Sequence, residues 1–380
     1  MFSDSTFSRT GTTSPIFVSR DPKFTPLAVL PGQEYFLIQV YAAQVAFRGN
    51  PWDNIKRLVV TSQVNLNHRN LDNRPLRAIQ RTRDVQKNQA QPLGLNPNLI
   101  HLVPAVMPSV SLAIDFVLDR ENRLAQLGGL INSDSFFSVL SLAPGASAVA
   151  KTVAQLADKV IQTFIPAEES KPLLSFAGDF NLATQQLFDG YYVILGTKDE
   201  RTPLPAPTAR LAVRDRGLLV DDQPATQWSY VILDVQRTAT RPRELSDGAS
   251  WDLKLREAED EAQRFTLNPL ATEEARKQAW EKCLKLIEEA QTLLRADDNF
   301  TRADMQNIVA AAFQNCRQLV VQASGVRGEA HAKGIAPSAP PANDLARLGL
   351  PATLDLAKTV DAYAVELTHA RKTLQAAGLG

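Results

Sequence analysis

Apolar residues recur along this chain with two different periods, and the change of period divides it. Over residues 110–119, Leu112, Ile114, Phe116 and Leu118 alternate with Ala113, Asp115, Val117 and Asp119. A period of two puts one set on a covered sheet face and the other outward, so this segment is predicted to be a strand. Residues 35–47 are almost continuously apolar, with Ile38, Val40, Val45 and Phe47, as in a strand covered on both faces. After the turn signal Asn50-Pro51, residues 58–66 carry Val59, Val60 and Val64 and are predicted to be a third strand. Segments 173–182, 191–196, 210–220 and 227–238 repeat the pattern. Asp189-Gly190 supplies a turn, and Arg214, Gly217, Asp221 and Asp222 bracket residues 218–220 like a small hairpin.

A helical period interrupts this run of strands. Val149, Val153, Leu156, Val160 and Phe164 fall at steps of three and four, on one face of a helix over 147–164. A strand-like run over 136–142 and the turn Pro144-Gly145 precede it. Ser147 is suited to accept a bond from a free amide at its start, and Pro166 closes it. A shorter helix is predicted over 75–88, where Leu76, Ile79 and Val85 lie near one face.

Beyond residue 250 the three-to-four step dominates. Helices are predicted over 251–264 and 273–295, the second striped by Trp280, Leu284, Ile287 and Leu294. The sequence Thr301-Arg302-Ala303-Asp304 resembles a capping box and opens a third, striped by Met305, Ile308, Ala312, Cys316 and Leu319. Pro351 leads into a last helix with Leu356, Val360, Tyr363, Leu367, Ala370 and Leu374 on one side. The fold class is therefore α+β. An N-terminal antiparallel, sandwich-like β-rich domain over 32–250 carries the inserted amphipathic helix, and a C-terminal helical bundle spans 251–380. The Ser/Thr/Pro-rich stretch 1–31 is predicted to be a flexible arm with one short strand near 15–19, and the Gly/Ala/Pro-rich stretch 324–341 a flexible linker.

Composition narrows the partners. A chain of 380 residues with 41 basic and 41 acidic side chains has no net field favouring nucleic acid or an anionic membrane. The cluster Arg69, Arg74, Arg77, Arg81, Arg83 and Lys87 has no interleaved aromatic residue for base stacking. Two cysteines, Cys283 and Cys316, fit reduced core thiols in a cytoplasmic protein.

Chemical motifs are sparse. Residues 145–152 have the spacing of a phosphate-binding loop ending in Lys151-Thr152, and Tyr230-Val231-Ile232-Leu233-Asp234 resembles a strand ending in a magnesium-binding carboxylate. Ala150, however, stands where close approach of phosphate needs glycine, and strands rather than alternating strands and helices separate the two motifs. Lys151, Thr152 and Asp234 would hold a nucleotide only in this alternative reading; otherwise no cofactor is expected. The four histidines have no ligand spacing. Asp115 and Asp119 are about 13 Å apart along a strand, too far to share one metal. A membrane-active role for 136–164 is a second alternative, although no run reaches the roughly 20 apolar residues needed to span. The leading expectation is a non-enzymatic protein–protein interaction protein: an adaptor, scaffold or regulated effector subunit. Its partner-binding residues would be Leu356, Val360, Tyr363, Leu367 and Leu374, and its partner another protein or a second copy.

Overall fold

The computed structural model describes residues 7–9, 15–46, 57–66, 76–84, 90–93, 98–105, 109–119, 174–181, 187–196, 205–206, 208–246, 248–266, 272–297, 299–325, 342–351 and 353–376. The chain divides into two compact units, residues 1–237 and 238–380. The division falls just ahead of residue 250, where the hydrophobic period changes. The fold is α+β, with antiparallel sheets in the first unit and helices in the second.

Among the described residues the first unit contains β1 (Phe7–Arg9), β2 (Ile16–Val18), β3 (Tyr35–Ala46), β4 (Arg57–Leu66), β5 (Leu76–Asp84), β6 (Ala90–Leu93) and β7 (Asn98–Pro104). It continues with β8 (Ser109–Asp119), β9 (Leu174–Asn181), β10 (Gly190–Leu195), β11 (Leu211–Arg214), β12 (Gly217–Val220), β13 (Gln223–Pro224) and β14 (Tyr230–Thr238). One sheet has the order β1-β9-β8-β4-β5. A second has β2-β10-β14-β3-β6, with β7 also on β3, and a small third sheet is β11-β12-β13. Phe36 and Ile38 of β3, Val60 of β4, Phe116 of β8, Phe176 of β9, Ile194 of β10 and Leu233 of β14 belong to one buried cluster. The two large sheets thus share a sandwich-like core. Their inward positions are the period-two set of the sequence, each large side chain contributing roughly 1.5–3 kcal/mol by burial.

The second sheet is covered on its other face as well. Val193, Leu195, Tyr230 and Ile232 pack with Leu218, Val220, Ala225 and Trp228 from the small sheet and its flanks. That explains why the run from Tyr230 to Leu233 is apolar at every position: both faces of β14 are buried there. The small sheet turns at Asp215-Arg216 and Asp221-Asp222, all four at positive φ between 49° and 62°. This matches the twist of two-residue hairpins.

Three features of this unit differ from sequence expectation or extend it. Residues 76–84 form strand β5, paired along β4 from Val64↔Leu76 to Arg57↔Asp84, and not a helix. The would-be helix had only a narrow apolar stripe, whereas the edge of β4 offers a full ladder of backbone partners. Strands β6 and β7 pair with β3 in segments whose Pro, Gly and Asn content masked any alternation. Within the stretch read as an arm, Phe7–Arg9 pairs with β9 and Ile16–Val18 with β10. The inserted helix expected over 147–164 lies outside the described residues, as does the linker expected over 324–341 except for residues 324 and 325, which are helical and end the helix Arg302–Gly325.

The second unit contains a short 3-10 turn (Arg243–Ser246), then α1 (Ser250–Thr266), α2 (Glu273–Arg295), α3 (Arg302–Gly325), α4 (Ala342–Arg347) and α5 (Leu356–Ala376). The predicted bounds of the second helix coincide with α2. Thr272 caps α2 by accepting from the amide of Ala275 at 3.2 Å, and Thr301 accepts from the amide of Asp304 at 3.2 Å. Helices α1, α2 and α3 each pack on the other two. Their shared core holds Trp251, Leu255, Leu284, Ile287, Phe313 and the free thiols Cys283 and Cys316. Buried Asp252, in the first turn of α1, is held by Arg243 and Arg256.

Candidate functional site

Two places combine polar chemistry or exposed surface with a specific architecture. The first lies on the outer side of the second sheet of the first unit, where Val18, Tyr41 and Tyr191 border the cluster formed with the small sheet. Antiparallel register sets Tyr191 opposite Asp234 on one side and opposite Val18 on the other. The chain leaves β2 through Ser19, and the guanidinium of Arg20 reaches back across this row. It donates from Nε to Asp189 at 2.9 Å, pairs with Asp234, and donates to the carbonyl of Val235 at 2.7 Å. Its charge stands 5.2 Å from the centre of the Tyr191 ring, which in turn lies 4.9 Å from that of Tyr41. Gln236 donates to the other Asp234 oxygen at 2.6 Å.

Charge and burial oppose each other here. Burial raises the Asp234 carboxyl above its usual range, against the pull of Arg20 and Gln236. Burial, and next to it the charge of Asp234, pushes the Tyr191 hydroxyl up to about 12. On the opposite face of β2, Phe17 points into the sandwich core. Its ring meets those of Phe188 at 5.8 Å and Tyr192 at 5.2 Å. A side chain at Gly190 would put its Cβ 2.7 Å from that ring, so the close approach of Phe17 requires glycine there.

The second place is α5. Leu356, Tyr363 and Leu374 are buried, Leu367 is partly buried against the same core, and Val360 is half-exposed. Leu356, Tyr363 and Leu367 of the predicted stripe therefore face the helical unit's own core. The opposite side of the helix is open, with Val365 68% exposed. Among the described elements, and unlike α1–α3, α5 has one principal neighbour, α3. Arg371 also pairs with Glu244 through exposed side chains. Residues before α5 are anchored on α2. Trp280 donates to Asp344 at 3.0 Å, Arg347 pairs with Glu281 and Glu288 at 2.9 Å each, and Leu345 and Leu348 are fully buried.

Of the nucleotide-binding set, Lys151 and Thr152 lie outside the described residues. Asp234 is at the sheet position just given, with both carboxylate oxygens engaged by Arg20 and Gln236. Among the described residues no group of three or more His, Cys, Asp or Glu is placed to hold a metal ion, and no helix is long and apolar enough to cross a membrane. The sequence singled out Asp234 but gave no sign of its partners. Arg20 sits in a Ser/Pro-rich stretch, and only the Asp189-Gly190 turn signal marked that neighbourhood. The chain matches no protein-family model and no curated protein.

Proposed function

We propose that this chain is a non-enzymatic protein–protein interaction protein, an adaptor, scaffold or regulated effector subunit, and that its helical unit makes the contact. The observation that carries this reading is the one-sided docking of α5. Leu356, Tyr363 and Leu367 of its apolar stripe rest on the unit's own core, while its outer side is exposed at Val365. An amphipathic helix held on one principal neighbour is the kind of element that changes groove in helix-in-groove recognition. The anchor at Leu345 and Leu348 confines such motion to the chain beyond Pro351. A partner offering a longer apolar groove would take over the stripe, and one satisfied with the outer side would bind without moving it.

The test is site-specific photo-crosslinking of the full chain in the cells that make it. The crosslinker replaces Val365, with Arg216 on the hairpin turn as control. A discrete protein adduct from position 365 that is absent from position 216 is the expected result. A folded protein that gives no adduct at position 365, or the same adducts at both positions, overturns the reading.

A further inference from the structure

The edge of β10 is built as a strand-binding groove, and its occupant belongs to the same chain. Three kinds of contact hold residues 16–20 there. Backbone pairing runs from Ile16↔Val193 through Phe17↔Tyr192 to Val18↔Tyr191. Phe17 fills an aromatic socket floored by Gly190 and walled by Phe188 and Tyr192. Three residues further on, Arg20 enters a second socket made of Asp189, Asp234, the Val235 carbonyl and the Tyr191 face. Ladder bonds that read no side chain, with separate pockets for particular side chains, are the means by which sheets recognise added strands.

We propose that this edge is a docking groove for an extended segment of a partner protein carrying phenylalanine and, three residues later, arginine, and that residues 16–20 occupy it in cis as a gate. The occupant is slight for a sheet strand. It is three residues long, sits at the sheet edge and, among the described residues, pairs with β10 alone. Pro15 and Pro22 flank it and supply no amide to lengthen the ladder. Arg20 keeps about a third of its side chain in water. The socket is nevertheless specific. Buried Asp234 needs a cation opposite it, and any side chain at position 190 would collide with the phenylalanine. A tethered occupant acts at an effective concentration of about millimolar, so a free segment of equal quality binds poorly until the tether is weakened. This groove lies in the first unit and is independent of the helical contact proposed above.

The test uses the full chain and a fluorescent peptide with the sequence of residues 14–22, read by anisotropy. The Phe17→Ala/Arg20→Ala protein is expected to bind the peptide at least about tenfold more tightly than the wild type. Replacing the peptide's arginine by alanine, or adding Asp234→Asn to the protein, is expected to remove about tenfold of that affinity, as loss of a charge-assisted bond does. Circular dichroism confirms folding, and Arg20→Ala alone carries the same comparison if the double variant melts out. A folded variant that binds no peptide, that binds no better than wild type, or that binds both peptides equally overturns the proposal.

Discussion

Asp234 is one carboxylate caught between burial, which opposes its charge, and Arg20, which favours it. Its raised folded-state pKa fixes the sign of its pH linkage. Its contribution to stability is fully present below the ordinary carboxylate value of 3.8 and is lost as pH rises through the folded value. Asparagine does not ionise, so the melting temperature of Asp234→Asn relative to wild type should move in the variant's favour from acid to neutral pH. A difference that stays flat across that range would contradict the assignment. Arg216 offers a simpler test. It sits at φ 58° in a turn that favours glycine, and the left-handed conformation costs a non-glycine residue about 1 kcal/mol. Arg216→Gly should therefore raise stability by up to about 1 kcal/mol in a denaturant titration. The turn signals Asp189-Gly190 and Asp221-Asp222 were readable in the sequence because turn chemistry is local. The match of Arg20 to Asp189 and Asp234 was not, because it is made across strands by residues far apart in the chain.

At the scale of elements, apolar period, apolar runs and the turn signals between them located β3, β4, β8, β10 and β14 and set the bounds of α2. It failed for β5, where long-range pairing with β4 outweighed a weak helical stripe, and for β6 and β7, which add to β3 with little alternation of their own. Asp252 shows what a local reading leaves out. It looks like an ordinary acidic residue in the first turn of α1, yet it is fully buried between Arg243 and Arg256. Asp252→Ala should cost about 2–3 kcal/mol, because it takes the buried one of two carboxylate partners from Arg243, which keeps Glu259 at 3.2 Å, and removes a favourable charge from the helix start. Removing the Thr301 cap by Thr301→Ala should cost about 1 kcal/mol. Equal losses in the two variants would argue against the buried ion cluster.

At the scale of the molecule, each unit has its own core, and the two cysteines report on one of them. Cys283 donates to the Ala258 carbonyl at 3.5 Å and shares a hydrogen bond with Cys316, which favours ionisation of Cys283 and opposes that of Cys316. Both thiols are fully buried, so iodoacetamide should modify neither in the native protein and both in denaturant. Rapid native labelling would contradict that packing. The proposed function depends on the unequal hold on the helices: α1, α2 and α3 grip one another, whereas α5 leans chiefly on α3. Native-state hydrogen exchange, resolved by peptide, measures this directly. Amides of α5 should open with a lower free energy than those of α2 and α3, in a sub-global step that leaves the three-helix core protected. If α5 instead exchanges only with the global unfolding of that core, it is a fixed part of the bundle, and the account of a releasable contact helix is wrong.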